Sequence, residues 1–184
     1  MKAQPGAKNV QTSQPALPYY SPPRVLSDSE TAKQHFERPR KRIVSPASLQ
    51  RFQSSSAFEE IMGLIMSLNE AVKGRTLSDK TIGESPTIAS ILDVLSCVDK
   101  LVEETPPVEN AASRFGNPAF RDFYKKVRSK SREFHEKIVG LSTVVGVDST
   151  TAIDEVALYF EEAWGNEERI DYGSGMELNF LCWM

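Results

Sequence analysis

The sequence contains few residues that bind metals or form disulfides. Its 184 residues include two cysteines, Cys97 and Cys182, and two histidines, His35 and His135. Two cysteines cannot form a disulfide framework or a four-cysteine zinc site, and the histidines lie far from both of them in sequence. Each cysteine stands among apolar residues, where a small buried thiol is the ordinary interpretation. We therefore expect no metal site made of cysteine and histidine.

Long apolar runs are also absent. No segment approaches the roughly 18 to 20 apolar residues that cross a bilayer. The N-terminus has no apolar stretch of the signal-peptide kind, so we expect a cytoplasmic protein, with the nucleus as a second location. The net charge of −3 argues against a strongly basic nucleic-acid binder.

Charge and proline are unevenly distributed. The first 46 residues contain eight basic and three acidic side chains and seven of the eleven prolines, whereas the remainder contains 14 basic and 22 acidic side chains. Residues 1–40 show little periodicity and too little apolar surface to offset the entropy of ordering, which predicts a disordered Pro/Ser-rich basic tail. Residues 41–184 form the predicted folded domain. The basic segment at residues 38–42 is a nuclear-import signal, a phosphate-attracting arm or solvated charge.

Apolar periodicity predicts an all-α fold. Ser45-Pro46 and Ser85-Pro86 each place a capping side chain before a proline suited to the first helical position. Apolar residues then recur at spacings of three and four, and no segment alternates long enough for a sheet. The predicted helices span residues 46–52, 57–73, 86–104, a segment opening at Asn117-Pro118, 150–163 and 176–184. The helix after Asn117 has a basic face, interpreted as solvated, formed by Arg121, Lys125, Lys126, Arg128, Lys130 and Arg132.

One loop near the end of the chain has the chemistry of an anion site. Gly173-Ser174-Gly175 enters a helix and exposes backbone N–H groups at the positive end of its dipole, which suits phosphate. Arg169 can add a two-pronged contact to phosphate oxygens. The spacing is not that of a P-loop, because no Lys-Ser or Lys-Thr follows the glycines. Alternatively, the glycines only turn the chain, and Arg169 forms a structural ion pair with Asp171.

Several motifs together resemble the signature segments of the phosphotyrosyl phosphatase activator family, whose members are also called serine/threonine protein phosphatase 2A activators. The resemblance covers residues 36–184, with supporting matches at residues 42–43 and 68–74. The motifs are Thr105-Pro106-Pro107-Val108, Arg114-Phe115-Gly116-Asn117 with Ala119-Phe120-Arg121, and Arg169-Ile170-Asp171-Tyr172-Gly173-Ser174-Gly175.

The resemblance implies an all-α fold with a core, a linker and a lid around a deep cleft that binds ATP. Family members convert the catalytic subunit of type 2A phosphatase to its active form with ATP and magnesium, and they are classed as peptidyl-prolyl cis-trans isomerases. The implied partners are that subunit and a proline-containing peptide segment, with no nucleic acid and no membrane. Family members continue past residue 184, so we expect the N-terminal part of the fold, truncated before the rest of the lid and core. The magnesium contacts are expected in the part beyond residue 184.

The resemblance also implies roles for individual residues. The residues expected to hold the cofactor are Arg169, Gly173, Ser174 and Gly175, with Arg114 and Asn117 bracing the cleft from its other side. The candidate catalytic residues are Asp171, Tyr172 and Glu177. One departure is Met176, because the family usually has a histidine at this position. A thioether is a poor hydrogen-bonding group and takes no proton.

The leading hypothesis is a phosphatase activator with prolyl isomerase activity. Isomerisation needs no nucleophile, because a pocket that favours the twisted amide is enough to lower its barrier of about 18–20 kcal/mol. Two alternatives remain. The first is a non-enzymatic phosphatase-binding scaffold or chaperone, and the second is an inactive truncated product.

Overall fold

The computed structural model describes residues 20–31, 33–79, 83–109, 116–141 and 149–184. Within these ranges the chain forms seven α-helices and no β-strand, which confirms the all-α class. None of these helices is both long and apolar enough to span a membrane. The helices are α1 (Asp28–Thr31), α2 (Pro46–Gln53), α3 (Ser56–Val72), α4 (Pro86–Glu103), α5 (Phe120–Glu136), α6 (Ser149–Glu161) and α7 (Ser174–Trp183).

The serine and proline pairs begin two of the helices. The Ser45 hydroxyl accepts a hydrogen bond from the Ser48 N–H at 3.2 Å, and the Ser48 hydroxyl accepts one from the Ser45 N–H at 2.8 Å, which is a reciprocal capping box. The Ser85 hydroxyl caps α4 by accepting from the Ile88 N–H at 3.2 Å. Gly74 follows α3 with φ of +69°, a conformation that favours glycine. These local signals explain why the predicted bounds of α2, α3 and α4 are confirmed to within one residue.

The start of α5 differs from the prediction. The helix begins at Phe120, its N-cap is Ala119, and no side chain caps it. The Asn117 side chain bonds to the segment after α4 instead: its Oδ1 accepts from the Val108 N–H at 3.1 Å and its Nδ2 donates to the Val108 carbonyl at 2.7 Å. The same oxygen accepts from the Ala119 N–H at 3.1 Å. Asn117 therefore braces two segments and does not cap the helix.

The core forms where α4, α5, α6 and α7 pack together. At its centre the Phe160 ring lies 5.3 Å from His135, 5.5 Å from Trp164 and 4.9 Å from Trp183, measured between ring centroids. Edge-to-face and tilted ring pairs at these distances add to the stabilisation from burial. The buried members of the cluster are Val94, Val98, Leu101, Val127, Phe134, Ile138, Phe160 and Trp183.

His135 is a fully buried member of this core, with 0% of its surface exposed. Its Nδ1 lies 2.6 Å from the Ser131 carbonyl oxygen, and its Nε2 lies 2.8 Å from the Trp183 Nε1. The indole N–H is only a donor, so Nε2 accepts and the ring proton belongs on Nδ1. This neutral ring joins α5 to the last turn of α7.

The basic face of α5 contacts its neighbours, although we interpreted it as solvated. Arg121 donates to two carbonyls of the loop after α6, those of Glu167 at 3.2 Å and Glu168 at 3.3 Å. The other contacts of this face are Lys126 with the Glu104 carbonyl, Arg128 with Glu161, and Arg132 with Asp154. The basic face therefore connects α5 to the residue after α4, to α6 and to the loop after α6.

Part of the N-terminal segment lies on α3. The Tyr20 ring packs on Phe58 with centroids 6.4 Å apart. A Cβ added to Gly63 would lie 2.0 Å from the Ser21 carbonyl oxygen, so the chain at residues 20–23 passes directly over the helix. Disorder before residue 41 stays a prediction, and residues 1–19 lie outside the described ranges. The apolar side chains of α3 at Ile65 and Leu68 are at least 36% exposed.

Candidate functional site

A cleft of about 980 Å³ lies at the start of α7. Four parts of the chain line it: a basic segment before α2, the end of α6 with the residue that follows it, the loop that joins α6 to α7, and the first turns of α7. Its lining residues are Pro39, Arg40, Lys41, Arg42 and Ile43, then Leu158, Tyr159 and Glu162, and finally Asn166, Arg169, Asp171, Tyr172, Gly173, Ser174, Gly175, Met176 and Asn179.

The loop between α6 and α7 is fixed by its own hydrogen bonds. The Asn166 side-chain oxygen accepts from the N–H groups of Glu168 at 3.1 Å and Arg169 at 2.8 Å. The Asn166 backbone N–H donates to the Asp171 carbonyl at 3.0 Å, and the Ile170 N–H donates to the Asn166 carbonyl at 2.8 Å. Ile170 takes φ of +51°, a conformation that is uncommon for a β-branched residue. Asn166 thus organises the turn that presents the following residues to the cleft.

Two glycines let this loop approach the start of α5. Gly165 has φ of +126°, and a Cβ there would lie 2.7 Å from the Phe120 ring and 2.9 Å from the Asp171 carbonyl oxygen. A Cβ on Gly116 would lie 2.6 Å from the Ile170 carbonyl oxygen. Side chains at these two positions would push the loop away from α5. The family motif that contains Gly116 and the motif that contains Ile170 therefore meet in space.

Arg169 and Asp171 form a two-pronged ion pair beside the cleft. The Arg169 Nε lies 2.7 Å from Asp171 Oδ2, and its Nη2 lies 3.1 Å from Oδ1. The hydrogen bond to Arg169 lowers the pKa of the Asp171 carboxyl, and the same bond raises the pKa of Arg169. Both side chains are exposed. Asp171 is therefore an anion at neutral pH with both oxygens engaged, which makes it a poor proton donor.

The first turn of α7 is open toward the cleft. Gly173 is its N-cap, with an extended backbone and no side-chain cap hydrogen bond. The N–H groups of Met176 and Glu177 donate to the Gly173 carbonyl at 2.8 and 3.4 Å. Within the described residues, the N–H groups of Ser174 and Gly175 have no hydrogen-bond partner. These two groups at the positive end of the helix dipole have the geometry that binds anions.

Basic side chains predominate in the cleft. Its lining contains four cations, at Arg40, Lys41, Arg42 and Arg169, and two anions, at Glu162 and Asp171. The whole chain has a net charge of −3. A positive cleft in an acidic chain concentrates anionic ligands there.

Most of the predicted site residues come together, although their roles stay predictions. Six of them line the cleft: Arg169, Asp171, Tyr172, Gly173, Ser174 and Gly175. Glu177 is exposed on the first turn of α7 and, like Asn117, is not among the lining residues. Arg114 lies outside the described residues. Met176, at the position where the resemblance leads us to expect a histidine, lines the cleft.

Sequence reasoning missed two kinds of cleft residue. The first is Asn166, which organises the loop. An asparagine directly after a glycine is typical of a turn, and this was the signal in the sequence. Arg40 and Lys41 were noted only as part of a basic segment, because nothing in the sequence shows that this segment reaches the start of α7. Across the described ranges, no group of three or more His, Cys, Asp or Glu side chains is arranged to hold a metal ion.

Comparison with known proteins gives the family. The model of the phosphotyrosyl phosphate activator (PTPA) protein family matches residues 39–184. "Serine/threonine-protein phosphatase 2A activator 2" of Mycosarcoma maydis is 51% identical over 151 residues, which is 82% of this chain and 33% of the relative. The protein of the same name in Cryptococcus neoformans is 46% identical over 146 residues, which is 79% of this chain and 36% of the relative.

A solved structure shares the fold. The crystal structure of the PP2A phosphatase activator Ypa1 PTPA1 matches with a TM-score of 0.68 at 24% identity, covering 80% of this chain and 46% of that one. The chain spans about a third of the length of the curated relatives it matches. The match over residues 39–184, together with the identity to these relatives, shows that the chain belongs to the phosphotyrosyl phosphatase activator (PTPA) family.

Proposed function

We propose that the chain acts as an activator of type 2A serine/threonine protein phosphatase, with the catalytic subunit of that phosphatase as its partner. One observation carries the proposal: six of the seven residues of the family motif at residues 169–175 line an open, positively charged cleft, and hydrogen bonds within the loop hold them in place. The names of the relatives, phosphatase 2A activators, agree with it. Because internal hydrogen bonds already fix this loop, it loses little conformational freedom when a ligand binds.

The ligand that we propose for this cleft is ATP. The open N–H groups of Ser174 and Gly175 and the surrounding cations suit its phosphate groups. These groups would hold ATP, whose phosphates would supply negative charge that offsets the cations of the cleft. The described residues hold no cluster of metal-binding side chains, and both Asp171 oxygens are engaged by Arg169. We therefore assign none of the described residues to magnesium.

The finer proposal is that the cleft also accelerates prolyl cis-trans isomerisation. Its lining combines the exposed Tyr172 ring with Leu158 and Met176, surfaces on which a proline ring can pack. A pocket that holds the twisted amide more tightly than the planar one lowers the barrier without covalent chemistry. Asp171 then acts through its charge and through the position of Arg169, and Glu177 contacts the peptide from the rim.

A second candidate is a non-enzymatic scaffold or chaperone that binds the phosphatase. Met176 favours this candidate. Its thioether lies in the cleft wall, at the position where the resemblance implies a histidine. A methionine packs well against apolar partners and transfers no proton. The remaining alternative is an inactive product, which the assays below also test.

Two assays on the purified chain separate these functions. The first adds the chain to the catalytic subunit of type 2A phosphatase and measures phosphopeptide hydrolysis, with and without ATP and magnesium. The second measures the isomerisation rate of a short X-Pro peptide. The test variant is Asp171→Asn, and Glu168→Gln is the matched control, because it removes one carboxylate from the same loop outside the cleft lining.

We expect the unaltered chain and Glu168→Gln to activate the phosphatase and to speed isomerisation, and Asp171→Asn to lose most of both effects. Phosphatase binding without any rate effect on the peptide would favour the scaffold. A chain that neither binds the catalytic subunit nor changes its activity would refute the proposal.

A further inference from the structure

Two cations of the cleft are left without a partner. Arg40 and Lys41 line the cavity beside the first turn of α7. Within the described residues, neither side chain forms a hydrogen bond or an ion pair. The other two cations are engaged: Arg169 by Asp171 at 2.7 Å, and Arg42 by Glu37 at 3.9 Å. The free positive charge of the cleft is therefore concentrated at two neighbouring residues.

The backbone that carries these cations is held against α6. The Glu37 N–H donates to the Glu155 carboxylate at 2.7 Å, and Pro39 is half-buried at the edge of the cleft. Proline also fixes its own φ, which stiffens the approach to the next residue. The segment is thus anchored on one side of Arg40 while both side chains remain exposed. Cations on an anchored backbone lose little further backbone freedom when they bind a ligand.

We propose that Arg40 and Lys41 bind the phosphate groups of the ligand in this cleft, in addition to Arg169, for which the resemblance implies a cofactor contact. The inference rests on the proposed nucleotide cleft and identifies its ligand class as a polyphosphate. Two unmatched cations and the N–H groups at the start of α7 neutralise at least two negative charges. The Arg40 guanidinium contacts phosphate oxygens as a fork, and the Lys41 ammonium contacts them as a point charge.

The experiment measures binding by isothermal titration calorimetry on the chain alone, with inorganic tripolyphosphate and with ATP as probes. The test protein is the double variant Arg40→Gln/Lys41→Gln. The matched control is Arg51→Gln/Lys100→Gln, which removes the same charge from exposed positions on α2 and α4 outside the cleft. Circular dichroism and thermal melts establish that both variants keep the fold.

We expect the test variant to bind tripolyphosphate and ATP at least about tenfold more weakly than the unaltered chain, because it loses two charge-assisted contacts. The control should stay within about twofold, because Arg51 and Lys100 do not line the cleft and exposed charges are screened by salt. Raising the salt from about 0.05 to 0.2 M should weaken binding by the unaltered chain more than binding by the test variant.

The inference is overturned if the test variant binds both probes as tightly as the unaltered chain, or if the unaltered chain binds no tripolyphosphate. Its failure is distinct from failure of the proposed function, which is judged by phosphatase activation. Loss of polyphosphate binding in the test variant alone supports the inference even when the phosphatase is not activated. Activation with unchanged polyphosphate binding in the test variant refutes it and leaves the proposed function standing.

Discussion

Protonation of His135 should destabilise the fold, because its environment accepts only the neutral ring. Burial lowers the pKa of His135 below its ordinary value, while the bond to the Ser131 carbonyl opposes that shift. The Trp183 indole N–H occupies the Nε2 lone pair at 2.8 Å, so a proton added at Nε2 would face another donor. The rings of Phe160 and Trp183 offer no counter-charge to an imidazolium at this site.

The pH dependence of the free energy of unfolding follows from the difference in the number of protons bound by the unfolded and the folded chain. An unfolded histidine has a pKa of about 6.5, and the folded one is lower, so the unfolded chain binds more protons as pH falls. The stabilisation from the neutral ring is complete above pH 6.5 and is lost as pH falls toward the folded pKa. Moving from pH 7.5 to 5.5 therefore lowers the free energy of unfolding by at most about 1.4 kcal/mol, the limit set by protonation of the unfolded histidine.

The assay is urea unfolding followed by tryptophan fluorescence at pH 7.5 and 5.5. Both tryptophans, Trp164 and Trp183, lie in the aromatic cluster around Phe160 and report on it. The variant His135→Gln has no titrating ring at this position, so its loss of stability between the two pH values should be smaller, by no more than about 1.4 kcal/mol. The control His35→Gln removes an exposed histidine and should keep the pH dependence of the unaltered chain.

Two results would refute this reasoning. One is an equal pH dependence in the unaltered chain and in His135→Gln. The other is a rise in stability as the pH falls from 7.5 to 5.5. A direct check that does not depend on the variant is the proton NMR titration of the His135 ring, whose midpoint should lie below that of a free histidine while the chain stays folded.

Two further predictions concern the loop at the cleft. Gly165→Ala should lower the unfolding temperature, because the new methyl group meets neighbouring atoms at 2.7 and 2.9 Å in a strained backbone conformation; such strain costs about 1–3 kcal/mol. Gly175→Ala, with open space at its Cβ, should not lower it. Arg121→Gln should raise amide hydrogen exchange within residues 166–171 by removing two hydrogen bonds to the loop carbonyls. Lys125→Gln on the same helix should leave that exchange unchanged, and equal exchange in the two variants would contradict the role of Arg121.

The helices could be predicted because their signals are local. A serine before a proline, followed by apolar residues at helical spacing, specifies the start and the inner face within a few residues of chain. The same reasoning fails at Asn117, where the side chain bonds to Val108, nine positions earlier. A capping residue has several possible partners, and the tertiary fold decides which one it bonds.

The core role of His135 had no comparable signal. It lies among charged residues of α5, and its partner Trp183 is 48 positions away. Cleft formation was predictable only in part for a similar reason. The glycines and the arginine of residues 169–175 identify an anion-binding loop, whereas the approach of Arg40 and Lys41 depends on how residues 37–43 lie against α6.

The two ends of α7 connect the core to the cleft. A helix of 10 residues is too short to be stable by itself in water, so its position is set by what it packs against. Trp183, in its last turn, is held by His135 and Phe160 in the core, while Ser174 and Gly175, in its first turn, present their N–H groups to the cleft. The direction of those N–H groups is therefore fixed by packing at the opposite end, about 13 Å along the helix. A change that releases Trp183 should weaken polyphosphate binding without touching any residue of the cleft.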